Sequence, residues 1–192
     1  MGYGQRVGEG SSARIRPGSR REIGWVNAGI VWVLGLATGG RPPNVFTTLA
    51  RHHGLFRRWL WFAGGLMPGG KLPRAETELV ILRVADNSGC EYEWGHHERL
   101  GKRAGLSAEE IERVRSGPGA PGWTPRQALL LRAADELHAA GRIGDELWEQ
   151  LAGQLDEVRL IELCMLIGHY EMLAMTLNSL GVEPERPRDR LG

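Results

Sequence analysis

Cys90, Glu93 and His97 stand at i, i+3 and i+7 within the twenty-residue run from Glu78 to His97, which gathers carboxylates, a thiol and two imidazoles. These side chains move protons or attack electrophiles near neutral pH. On a helix the spacing puts Cys90, Glu93 and His97 on one face. Glu93 and His97, four apart, are placed to share a hydrogen bond that orients the imidazole. His96 points roughly 100° away from His97, so His97 is the inward histidine of the pair. A paired-thiol redox centre would require Cys-x-x-Cys, and position 93 is Glu.

The elements that must hold these groups follow from local signals. Ser88-x-x-Glu91 has capping-box form and opens a helix running to Ala104, with Gly105 as its stop. Cys90 then falls in the first turn, where free N–H groups and the positive dipole end favour a thiolate. Glu91 and Glu93 oppose that, and the local sequence leaves the direction open. Glu78 lies on the preceding helix, Pro73–Asp86, and a helical hairpin can fold it back towards the same face. A buried Glu beside a His makes a proton relay; by composition alone, a carboxylate in an early helical turn is solvated. Glu93-x-x-His96 is one copy of a di-iron-type ligand pair, but no second copy occurs, so no metal is expected. His96, Trp94 and Tyr170 are candidate substrate contacts, and Arg83 and Arg103 are candidate partners for a substrate carboxylate.

The rest of the chain also reads as helices, about eight in all. They are Glu22–Ala37, Val45–Gly64 with Asn44 as N-cap, Pro73–Asp86, Ser88–Ala104, a short helix opened by the Ser107 box, Pro125–Ala140 opened by the Thr124 box, Asp145–Leu155, and Glu157–Leu180 ended by Gly181. No run alternates like a strand, so the fold is all-α. The last helix is apolar on more than one face, which in a chain of 192 residues points to burial of one face against another subunit.

Composition bounds the rest. A net charge of +1 gives no electrostatic case for nucleic acid. Two cysteines, Cys90 and Cys164, make no disulfide framework, and a reduced, cytoplasmic protein is the simplest reading. Ile23–Thr38 is short of a membrane span and broken by glycines, so no membrane association is expected. Residues 1–22 carry five Arg and two Glu and read as a mobile or draped arm; residues 23–184 form one helical domain and 185–192 a tail.

Together these residues resemble the carboxymuconolactone decarboxylase/AhpD-like superfamily over about residues 40–184. The AhpD pattern is Glu, eleven residues, then Cys-x-x-Cys-x-x-x-His; here it reads Glu78, eleven residues, Cys90-x-x-Glu93-x-x-x-His97. The flanking Glu-Leu-Val-Ile-Leu-Arg-Val-Ala and Arg-Ala-Gly-Leu-Ser match too, as does the segment from His169 to Asn178. The resemblance implies an AhpD-like helical bundle, commonly a trimer or hexamer. In the AhpD branch the two cysteines reduce peroxide while the Glu and His move protons. With Glu at 93 that paired chemistry is closed to this chain, which leaves a one-cysteine peroxidase through Cys90 or a non-catalytic oligomer as alternatives. Glu-Tyr-Glu-Trp at 91–94 looks more like the decarboxylase branch. That implies a cofactor-free acid–base enzyme on a small carboxylated or lactone-like substrate. Its catalytic residues would be Glu78, Cys90, Glu93 and His97.

Overall fold

The computed structural model describes residues 13–37 and 42–185. The expected arm at 1–22 and tail at 185–192 therefore lie mostly outside the described residues. Among those described the chain forms nine helices and no strand: α1 Arg20–Ala37, α2 Asn44–Leu49, α3 His53–Leu66, α4 Arg74–Asn87, α5 Glu91–Ala104, α6 Ala108–Arg115, α7 Pro125–Ala140, α8 Asp145–Ala152 and α9 Glu157–Leu180. The all-α expectation holds.

The ninth helix arises because the stretch expected as one helix over Val45–Gly64 is two. The chain breaks at Ala50–His52, and the His52 ring caps α3 by accepting from the Leu55 N–H. Asn44 is the first residue of α2 rather than its cap, a place taken by Pro43. α1 also bends, at Gly24, whose φ of 72° is non-helical.

α4 is the central element. Leu79 to Leu82, Val84 and Ala85 are buried on every side of it, because it packs against α5, α6, α7 and α9. One core joins α4, α7, α8 and α9 through Val80, Ile81, Leu130, Leu147, Leu163 and Ile167. A second, around Leu79, Leu82, Ile111 and Leu131, takes in Trp94.

The turn between α4 and α5 differs from the expected cap. Ser88 closes α4, Gly89 sits at φ 57°, and Cys90 is the N-cap of α5. The Cys90 N–H donates to the Ala85 carbonyl (2.8 Å) and the Gly89 N–H to the Asp86 carbonyl (3.1 Å), the paired bonds of a Schellman motif. The motif needs a left-handed residue at position 89, and the glycine after Ser88 supplies it. Ser88 Oγ turns instead to Glu171 Oε2 at 3.1 Å. The same box form at Ser107 and Thr124 does cap α6 and α7. A Cβ at Gly89 would meet nothing within 4 Å, so Gly89→Ala is expected to cost about 1–2 kcal/mol of backbone strain alone. Gly95→Ala on α5, equally free of neighbours, should stabilise by about 0.5–1 kcal/mol. Urea midpoints of the two variants check the opposite signs.

α9 is long and apolar enough to cross a bilayer by length and composition, but half of that stretch is buried inside the fold. Its outward face carries Val158, Ile161, Met165, Met172 and Met175, all exposed. These recur at intervals of three, four, seven and three, the spacing of a helix-pairing seam.

Candidate active site

The hairpin brings Glu78 and His97 together. Glu78 Oε2 lies 2.7 Å from His97 Nδ1, and Arg74 Nη2 lies 2.6 Å from Glu78 Oε1, one turn earlier on α4. Glu78 is fully buried, contrary to its solvated composition-level reading. A carboxylate only accepts, so His97 Nδ1 carries a proton, and the nitrogen left for proton exchange is Nε2. The expected Glu93–His97 bond is absent, and Glu78 is the residue that orients His97.

Glu93 is buried, and neither carboxyl oxygen has a partner. Burial, then the nearby Glu171 charge, pushes its pKa up to about 8. It is therefore mostly a neutral acid at pH 7. His169 on α9 is also buried with Nδ1 unpartnered, and burial lowers its pKa to about 4, which keeps the ring neutral. Trp59 stacks on it at 6.0 Å with an interplanar angle of 22°.

Glu93, His97, His96, His169 and Tyr170 line a cavity of about 300 Å³, walled by Trp59, Phe46, Met67 and Leu173 among others. Its size is at the small end for ligand pockets. Tyr170 meets the His97 ring edge-on at 5.0 Å. None of the lining residues is Lys or Arg. Among the described residues no group of three or more His, Cys, Asp or Glu is arranged to hold a metal ion.

Other expected members lie elsewhere. Trp94 is packed in the second core, with the Arg115 guanidinium 3.7 Å above its ring, and does not line the cavity. Arg83 is committed to Asp135, Asp86 and the Val114 carbonyl; Arg103 is exposed on α5. Cys90 is buried beside the cavity rather than on its wall. Burial first, then the Glu93 charge, pushes its thiol up to about 11, against the pull of the helix N-terminus. His169 and Trp59 are the cavity members that the sequence placed least well. The available signal was a helix apolar all round, on which an inward histidine has to be buried.

Residues 53–136 match the model of the Carboxymuconolactone decarboxylase family. No curated protein matches the chain. Solved structures do. One is an uncharacterized peroxidase-related protein from Ralstonia eutropha JMP134 with an alkylhydroperoxidase AhpD core, with 18% identity, TM-score 0.81, and 90% of this chain and 92% of that one covered. Another is an uncharacterized peroxidase-related protein from Silicibacter sp. TM1040, with 16% identity, TM-score 0.79, and 93% and 95% covered. A third is a cysteine-to-alanine variant of the debrominase Bmp8 in complex with 2,3,4-tribromopyrrole, with 14% identity, TM-score 0.71, and 89% and 91% covered. At these identities the likeness is one of fold.

Proposed function

We propose that this chain, residues 53–136 of which match the Carboxymuconolactone decarboxylase family, is a member of the carboxymuconolactone decarboxylase/AhpD superfamily and a cofactor-free acid–base enzyme of decarboxylase or lyase type. The substrate is a small carboxylated or lactone-like ring. The observation that carries this reading is the pairing, in one cavity, of an oriented histidine base with a carboxyl group held largely protonated.

When CO₂ leaves a carboxylated lactone, its electron pair passes into an enolate whose sink is the lactone carbonyl. Glu93 then delivers its proton to carbon, and His97 returns a proton to Glu93 from solvent or takes one from the substrate. Glu78, anchored by Arg74, fixes the tautomer that this needs. A five-membered ring of the kind seen with Bmp8 is of a size with the cavity. The test is turnover of a panel of carboxylated lactones by wild type and His97→Ala. An identified substrate turned over equally well by both would end this reading.

The rival one-cysteine peroxidase has the naming of the fold neighbours in its favour and the burial of Cys90 against it. In a Cys164→Ser background, Cys90 is expected to react with hydroperoxide or a disulfide reagent at pH 8 roughly a hundredfold more slowly than a free thiol, following its thiolate fraction. Stopped-flow kinetics decide this, and a fast thiol would move the assignment to peroxidase chemistry. A non-catalytic oligomer predicts instead that Glu78, Glu93 and His97 can be replaced without functional effect.

We also propose that the exposed α9 stripe is covered by another copy of the chain. Met165→Glu with Met172→Glu is then expected to lower the oligomeric state in sedimentation velocity, while a wild type already monomeric at micromolar concentration would end the idea.

A further inference from the structure

A carboxylate already sits in a cradle two of whose donors, Tyr92 and His96, line the cavity, and it is the chain's own. Glu185 follows the end of α9 at Gly181 and reaches back to α2 and α5. Its Oε1 accepts from the Asn44 N–H at 2.7 Å and from the Tyr92 hydroxyl at 2.7 Å, and its Oε2 lies 3.0 Å from His96 Nε2.

The donors are aimed before the carboxylate arrives. The Val45 N–H donates to the Tyr92 oxygen at 3.0 Å, which leaves the hydroxyl proton to point at Glu185. Arg99 Nη2 lies 3.2 Å from His96 Nδ1; a guanidinium only donates, so the His96 proton sits on Nε2 and faces Glu185. Burial raises the Glu185 pKa, but hydrogen bonds from His96, the Asn44 backbone and Tyr92 outweigh it, holding the group down at about 2. These donors fit a charged carboxylate.

Tyr92, His96 and Val45 also line the cavity, whose wall carries no Lys or Arg. Asn44 and Glu185 line a neighbouring cavity of about 440 Å³, so the cradle draws its members from both. The strap that carries Glu185 is held separately, through Asn44 Nδ2 to the Glu183 carbonyl at 2.9 Å. Emptying the cradle therefore does not require that contact to break.

We propose that Tyr92, His96 and the Asn44 N–H form a carboxylate-recognition subsite of the cavity, occupied by Glu185 as a built-in surrogate until a ligand carboxylate displaces it. This rests on the acid–base reading only for the identity of the cavity as the substrate site.

The test is binding of benzoate and of its neutral analogue benzamide to the full chain by calorimetry at pH 7. Freed of its internal competitor, Glu185→Ala is expected to bind benzoate at least about tenfold more tightly than wild type. Benzamide affinity should be little changed. Adding Tyr92→Phe should remove the gain. Glu185→Gln, which keeps the strap's side-chain length but not its charge, should fall between wild type and Glu185→Ala, and it serves as the readout if the alanine variant folds poorly. Equal benzoate affinity in all variants, an equal gain for benzamide, or a gain that survives Tyr92→Phe each overturns the proposal. The readout is binding, so its failure is separate from that of the turnover test on His97.

Discussion

Replacing Glu78 with alanine is expected to remove fold stability and chemistry together. Glu78 is fully buried between the Arg74 guanidinium and the His97 ring. Deleting one partner of such a buried arrangement costs about 3–5 kcal/mol, because the remaining groups lose their partner and a cavity opens. Arg74 is partly exposed and can turn to water; His97 is buried and cannot. Glu78→Gln separates the two effects. It keeps the volume and most of the packing, so its urea midpoint should move far less. It can still present its NH₂ to Nδ1, which forces the His97 proton onto Nε2 and removes the free base. Turnover should then fall on the order of 10²–10⁴-fold, as when an orienting carboxylate is lost from a catalytic triad. Full turnover in a folded Glu78→Gln protein would remove Glu78 from the mechanism.

Glu93→Gln is expected to stabilise the protein at alkaline pH while abolishing proton delivery. The Glu93 pKa rises from 4.5 unfolded to about 8 folded. The folded state thus holds the extra proton between those values, and stability falls as pH rises through that window. His169 acts in the opposite sense: its folded pKa of about 4 lies below 6.5, so stability rises with pH until about 6.5. The two slopes oppose below pH 6.5, and above it Glu93 acts alone. Its wild-type contribution should fall by roughly 1.4 kcal/mol per pH unit from 6.5 to 8, or about 2 kcal/mol in total, then level off. Glu93→Gln should be flat over the same range, and its advantage over wild type should grow accordingly in urea titrations at pH 6.5, 7.2 and 8. A wild type with no such slope would mean that Glu93 has a pKa near that of a solvated carboxylate.

The sequence showed the face shared by Glu93 and His97 but not how the groups are bonded. Spacing of four suggested a Glu93–His97 bond, whereas the actual partner, Glu78, is nineteen residues away and meets His97 only through the hairpin. Its burial was invisible because composition assigns an early-turn carboxylate to solvent. Ser88 misled because Ser-x-x-Glu is a cap only if the chain is not already closing the previous helix; Gly89 next to it decided the matter by taking the left-handed position. The boxes at 107 and 124, without such a competitor, were read correctly. Helix ends marked by Gly105 and Gly181 were equally legible. Cys90 was not: its position between two helices fixes its backbone, but the upward push on its thiol comes from tertiary burial.

The asymmetric packing around α4 also bears on how a ligand gets in. α4 is gripped by α5, α6, α7 and α9, whereas among the described residues the main contacts of α3 are with α1, α2 and α9, and those of α1 with α2 and α3. Glu78 and His97 are therefore expected to sit on the half that opens last, and Trp59 and Met67 on the half that opens first. Amide hydrogen exchange should be slowest in α4 and report global unfolding there. In α3 it should proceed through cheaper, local openings. Ligand entry through such openings is then expected to leave the Glu78–His97 pair intact.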